Sequence, residues 1–362
     1  MKKGILSAAA VACGLAIAAP ASAQGVKIGI LNDQSGVYAD YGGKYSLEAA
    51  HMAVEDFGKE VLGQKIEIVT ADHQNKPDLG AAIARRWYDA EGVDMITELT
   101  TSSVALAVQE LSKEKKKIDI VVGAATSRIT GDACTPYGFH WAYDTRALAV
   151  GTGGALVKAG GDSWFFITAD YAFGHALERD TASFVTKAGG KVLGQVRTPF
   201  PGTTDFSSFL QQAQASRAKV IGLANAGGDT VNSIKQAAEF GITRRGAKLA
   251  GLLVFLTDVH ALGLQTAQGL VLSETFYWDM NDRTRALTQR ILAQGTGGIY
   301  PAMSHAGCYS AVLHYLKAAA DMGVAQAKAS GADAVARMKA MPTDDDAFGP
   351  GSIRQDGRKL HP

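Results

Sequence analysis

From Val26 onward, short β-branched runs alternate with longer stretches in which apolar residues recur at helical spacing. Residues 26–31 are apolar at almost every position, which suits a strand buried on both faces. Residues 45–57 place Leu47, Ala50, Val54 and Phe57 on one helical face. Strands are predicted over 65–70, 93–99 and 118–122, and helices over 79–90 and 104–114. The alternation breaks at 139–144 and then resumes. Strands follow at 164–168, 191–197 and 220–224, with helices at 176–187, 206–216 and 230–240. Beyond 270–275 the pattern is mostly helical, over 283–293, 306–322 and 331–341. Strands that alternate with helices of this length imply parallel sheets with crossover helices, so the fold class is α/β with two units of similar size. No Pro- or Ser-rich linker separates them. The breaks near 140–145 and 272–278 read as extended chain crossing between two lobes, with a hinge and a cleft.

Ligands of open α/β sheets sit outside the carboxyl ends of the strands, so the loops after strands carry the candidate chemistry. The loop 32–43 holds Tyr38 and Tyr41 among Gly and polar residues. It reads either as a pocket wall that offers a hydroxyl or as a Gly-rich turn before a helix. Thr100, Thr101, Ser102 and Ser103 place four hydroxyls at a helix start. Unpaired N–H groups there hold an anion, although a single hydroxyl is enough for capping. Residues 123–127, Gly-Ala-Ala-Thr-Ser, would let a ligand approach the backbone. The Gly-rich loop 225–229 lacks the glycine spacing of a dinucleotide site.

The first residues change the picture of where the chain works. Lys2 and Lys3 precede an apolar stretch over 5–19, and Ala21-Ser22-Ala23 follows. That is the pattern of a secretory signal cleaved after Ala23, and the stretch is too short to span a bilayer. The whole chain has 36 Lys and Arg against 35 Asp and Glu. Such a balance offers no global field to attract nucleic acid. Of three cysteines, Cys134 and Cys308 lie beyond the signal, and an exported protein could pair them.

Catalytic patterns are scarce. The eight histidines are scattered without a metal-ligand pair at helical spacing, and no Gly-x-Ser-x-Gly elbow occurs. The expectation is no enzyme, no metal and no cofactor. Asp344-Asp345-Asp346 reads as a solvated turn.

Taken together, residues 35–42 (Ser-Gly-Val-Tyr-Ala-Asp-Tyr-Gly), the Ser/Thr loop, Ala124-Ala125-Thr126 and Asp170-Tyr-Ala-Phe173-Gly174 resemble one family. It is that of the periplasmic leucine/isoleucine/valine-binding proteins of ABC transporters, type I solute-binding proteins. The resemblance implies two doubly wound lobes joined by three crossing segments, with a ligand cleft between them. It implies a signal at 1–23, a first lobe of 24–143 plus 276–350, and a second of 144–275 plus 351–362. It also implies further second-lobe strands beyond Pro362, so that lobe is expected to be short of its full complement. For binding, it matches Tyr41 to a pocket wall, and Thr101 with Ser102 to the carboxylate grip. Ala124 and Thr126 complete that grip, and Phe173 covers the ligand from the second lobe. Tyr171, Asn225 and His305 are added from neighbouring loops.

Two departures shape the functional expectation. The acid that holds the ligand ammonium in the amino-acid binders falls near Leu252, where no acid stands, and a second aromatic wall falls near Ala226. A buried ammonium without a partner is costly. The expectation is a periplasmic component of an ABC importer that binds a small organic carboxylate lacking an α-amino group, aromatic or keto acid, and delivers it to permease subunits. The alternatives are a branched-chain amino acid binder, a secreted enzyme with His305 as base, and a sensory domain. The last would need an attached signalling segment.

Overall fold

The computed structural model describes residues 25–294 and 298–361. The signal pattern and its cleavage site lie outside them. The first sheet has six strands in the order β2-β3-β1-β4-β5-β6. They are β1 Val26–Asn32, β2 Glu60–Val61, β3 Gln64–Asp72, β4 Met95–Glu98, β5 Ile118–Val121 and β6 Gly138–His140. All pairings are parallel except β2 with β3. The second sheet, all parallel, runs β10-β9-β7-β8. Its strands are β7 Ser163–Ala169, β8 Lys191–Thr198, β9 Val220–Ala224 and β10 Lys248–Gly251.

The central strands carry the long apolar runs because helices cover both faces. Ile28 and Ile30 are fully buried on one face of β1 and Leu31 on the other. One face packs under the helices Lys44–Phe57 and Met303–Met322, the other under Pro77–Asp89 and Ser102–Lys115. Met303–Met322 has apolar residues nearly all round, and it is buried along most of its length.

Three of the departures from the sequence expectation change how the lobes are joined or packed. Residues 270–275 cross between the lobes without forming a strand. Residues 351–361 were expected in the second lobe, but they form a hairpin, β11 Ser352–Ile353 with β12 Lys359–Leu360, against the first sheet. Arg358 bridges to His140 of β6. The third is Asp345, which is buried and not a solvated turn residue. Its carboxylate accepts from Ser310 Oγ at 2.6 Å and from the amides of Ala347 and Phe348. Its neighbours Asp344 and Asp346 stay at the surface, paired with Arg283. Cys134 and Cys308 are both free thiols, one exposed and one buried.

Arg358 fastens the hairpin to the first crossing segment. It is 6% exposed, donates to the carbonyls of His140 and Trp141, and pairs with Asp144 at 2.9 Å. Arg358→Met is therefore expected to leave the half-buried Asp144 carboxylate without its cation and to cost up to about 3 kcal/mol. Thermal melts check this; a melting temperature within error of wild type would overturn it.

Candidate functional site

The loop after β1 is built around Asp33. Its buried carboxylate accepts from the amides of Gly36 and Tyr38, at 2.8 and 3.0 Å, and from Asn75 Nδ2 at 2.6 Å. This fixes Tyr38 and Tyr41, both buried, with ring centroids 5.2 Å apart. Ser304 Oγ donates to the Tyr41 carbonyl at 2.6 Å, which ties the loop to the helix Met303–Met322.

The chain leaves β4 through two left-handed residues, Glu98 (φ 76°) and Leu99 (φ 55°). L-residues seldom adopt this conformation, and such strain clusters at functional sites. The turn aims Thr100 and Ser102 inward at the start of the helix Ser102–Lys115. Thr100 Oγ1 accepts from the Asp33 amide at 3.1 Å and shares a hydrogen bond with Glu98 Oε2. Ser102 Oγ accepts from the Thr126 amide at 3.2 Å, which leaves its own proton to donate. After β5, the amides of Val122 and Gly123 both donate to the Glu98 carbonyl, and Tyr143 Oη donates to the Gly123 carbonyl at 2.5 Å.

From the second sheet, Tyr171 and Phe173 follow β7, Phe200 follows β8, and Leu253 and Phe255 follow β10. The cleft is shut. The hydroxyls of Tyr38 and Tyr171 lie 2.6 Å apart across it, and Tyr41 stacks on Phe255 at 4.0 Å. Tyr171 stacks on Phe200, also at 4.0 Å, and the Gly228 amide donates to the Val37 carbonyl at 3.0 Å. Between the lobes a narrow space remains, too small in this closed form to admit a water molecule. Tyr41, Thr100, Ser102, Gly123 and Ala125 line it on one side, and Tyr171, Phe173 and Leu253 on the other. Apart from Tyr41, which follows the loop after β1, every lining residue lies within four residues of the carboxyl end of a strand. Burial pushes the hydroxyl pKa of Tyr38, Tyr41, Tyr143 and Tyr171 well above the ordinary value, so all four remain neutral.

Of the residues singled out in the sequence, Tyr41, Ser102, Tyr171 and Phe173 meet at this cavity. Thr101, Ala124 and Thr126 do not line it. The lining places fall to neighbours of Thr101 and Ala124, namely Thr100, Gly123 and Ala125. In extended chain, adjacent side chains face opposite ways, so a slip of one residue reverses the assignment. Thr101 Oγ1 bonds to Asn75 Oδ1 behind the wall. Ala124 packs in the core beside Leu31 and Val104, and its carbonyl bonds to His140 Nε2. Thr126 caps the short turn Ser127–Thr130. Asn225 is buried and bonds to Thr230 and Ser233. His305 is held by the Ala302 amide and sits edge-on to Tyr45, and burial lowers its pKa to about 4. It takes no part in the cavity wall, so a base role in the cleft has no geometric support.

Sequence reasoning missed Glu98, Phe200 and Phe255. The two aromatics come from loops far apart in the chain, and nothing local marks them. Among the described residues, no cluster of His, Cys, Asp or Glu could hold a metal ion, and no helix is long and apolar enough to cross a membrane.

The periplasmic binding protein family profile matches residues 25–362. A periplasmic binding protein of Burkholderia mallei is 52% identical, with a TM-score of 0.89 over 94% of this chain and 88% of that one. A branched-chain amino acid ABC transporter periplasmic ligand-binding protein of Burkholderia xenovorans LB400 is 38% identical, TM-score 0.78, over 93% and 88%. A solute-binding protein of an ABC transporter from Rhodopseudomonas palustris HaA2, in complex with p-hydroxybenzoic acid, is 25% identical, TM-score 0.83, over 93% and 90%. With two parallel-sheet lobes, a shut cleft at the strand ends and these relatives, the chain belongs to the periplasmic leucine/isoleucine/valine-binding protein family, the solute-binding proteins of ABC transporters.

Proposed function

We propose that the protein captures a small aromatic carboxylate lacking an α-amino group and delivers it to the permease subunits of an ABC importer. One observation carries the reading: the cavity joins a hydroxyl-rich end to flat aromatic walls, and no acid stands among its lining residues. Thr100 and Ser102 lie where a helix start leaves N–H groups unpaired, which suits a carboxylate. Tyr41, Tyr171 and Phe173 suit a planar ring. Leu253 gives an α-ammonium no counter-charge, and burying one there is costly. The p-hydroxybenzoic acid held by the Rhodopseudomonas palustris relative supports the same ligand class. The ligand touches both lobes only when they close, and it shifts the equilibrium by its differential affinity for the closed form.

One observation favours a branched-chain amino acid instead. Asp229, in the second lobe, is 1% exposed, and neither carboxylate oxygen has a hydrogen-bond partner. It lies within electrostatic reach of the Tyr38 and Tyr171 hydroxyls. An ammonium there would satisfy it.

Titration calorimetry with benzoate, 4-hydroxybenzoate and leucine decides between the two. Benzoates are expected to bind at least tenfold more tightly than leucine, a difference of about 1.4 kcal/mol. Tighter leucine binding that Asp229→Asn abolishes would establish the amino acid reading.

A further inference from the structure

Glu98 lies behind the cavity wall and takes no part in the ligand contacts. It is fully buried. One carboxyl oxygen pairs with Thr100 Oγ1, and the other lies 3.5 Å from Ser46 Oγ. A methyl group added to Gly123 would come within 2.6 Å of Glu98 Oε1, so the carboxyl sits directly behind the Gly123 wall. The titratable groups that face it are Asp33, Tyr41, Tyr143 and Cys308. None of these is a cation.

The hydrogens around Thr100 can be counted. A hydroxyl has one hydrogen and two acceptor positions. The Asp33 amide occupies one acceptor position. If Glu98 were ionised, Thr100 would spend its only hydrogen on Glu98 and would have none for a ligand. The ligand carboxylate would also meet a second buried negative charge. If Glu98 carries a proton, it donates to the second acceptor position, and the Thr100 hydrogen turns into the cleft.

We propose that Glu98 is a positioning residue for the carboxylate grip: its protonated carboxyl donates to Thr100 Oγ1 and so frees the Thr100 hydroxyl to donate to the ligand. The inference rests on the carboxylate-binding reading above. Burial raises the Glu98 pKa to about 8, so the neutral form is present at neutral pH and is lost as pH rises through that value.

The test has two arms on the mature chain. Infrared difference spectra between wild type and Glu98→Gln should show a protonated-carboxyl band at pH 7 that depends on Glu98 and vanishes by pH 9. The second arm measures the affinity for benzoate and for leucine from pH 6.5 to 9. Wild type should lose about tenfold as the Thr100 donor is withdrawn, since a hydrogen bond to a charged group contributes about 1.5–3 kcal/mol. Glu98→Gln, whose amide still donates to Thr100, should bind with little dependence on pH. Thr100→Val should be weak throughout. A missing band at pH 7, or the same pH profile in Glu98→Gln and wild type, overturns the proposal. If leucine binds and benzoate does not, the ligand-class reading fails while the pH profile is still read on the leucine carboxylate. If neither binds, the infrared arm decides alone, since it needs no ligand.

Discussion

Gly227→Ala is expected to reduce ligand affinity by roughly a hundredfold or more, about 2.7 kcal/mol, while both lobes stay folded. Gly227 has φ 57° and ψ −133°, a combination that L-residues rarely adopt. The larger effect is steric. A methyl group at this position would lie 2.4 Å from the Val37 carbonyl oxygen and 3.0 Å from the Tyr38 ring. Both belong to the opposite lobe, so the clash exists only when the cleft shuts. The Gly228 amide bond to Val37 would be lost with it. An open form escapes the clash, which is why the substitution acts on closure more than on folding. Solution scattering at saturating benzoate should show compaction in wild type and none in the variant, with unchanged circular dichroism. A variant that compacts and binds like wild type would remove Gly227 from the closing surface.

The second large effect concerns pH. Burial raises the carboxyl pKa of Glu98 and Asp119 to about 8, and of Asp229 and Asp258 to about 7. Glu274 moves in the same direction. In the unfolded chain these groups ionise near pH 4. Between there and their folded values the folded state holds more protons, so stability falls as pH rises. The buried histidines act oppositely: His73, His140 and His305 are lowered to about 4 and His361 to about 3. Below pH 6.5 the unfolded chain binds the extra protons, and stability falls as pH drops. The two trends oppose each other between about pH 4.5 and 6.5; above that the carboxyl trend dominates, offset in part near pH 8 by Lys359, whose pKa burial lowers to about 8. Stability should therefore fall by on the order of 3–5 kcal/mol from pH 6.5 to 8. Thermal melts across that range test this, and Glu98→Gln should flatten part of the decline. A melting temperature that rises from pH 6.5 to 8 would contradict the assignment of these carboxyls as neutral.

Much of the architecture was legible because parallel strands buried on both faces have nowhere to hide their apolar runs. β1, β5 and β9 fall within a residue or two of the spans that their patterns indicate. β10 was not legible: Lys-Leu-Ala-Gly is too short and too weakly β-branched to stand out. At the site, the loops were identifiable but the facing of each residue was not. Thr100 and Thr101 are the same amino acid, and only the left-handed turn at Glu98 and Leu99 decides which one looks inward. Asp345 presents the same problem. Three consecutive acids resemble a solvated turn, and no spacing rule reveals that the middle one turns in to meet Ser310.

The packing of the helix Met303–Met322 against Lys44–Phe57 has a consequence for the order in which the molecule is completed. Tyr309 donates to Asp56 across 253 residues of chain, and Ser304 reaches Tyr41 across 263. The strands of the second sheet, by contrast, all fall between Ser163 and Gly251. That lobe can gather its sheet from neighbouring sequence, whereas the lobe made first must keep one apolar face open until nearly the whole chain has emerged. Contacts of such separation form late, after the entropy of closing a very long loop has been overcome. The chain therefore begins with the lobe it finishes last, and its N-terminal half cannot complete a compact core until its C-terminal helices are available.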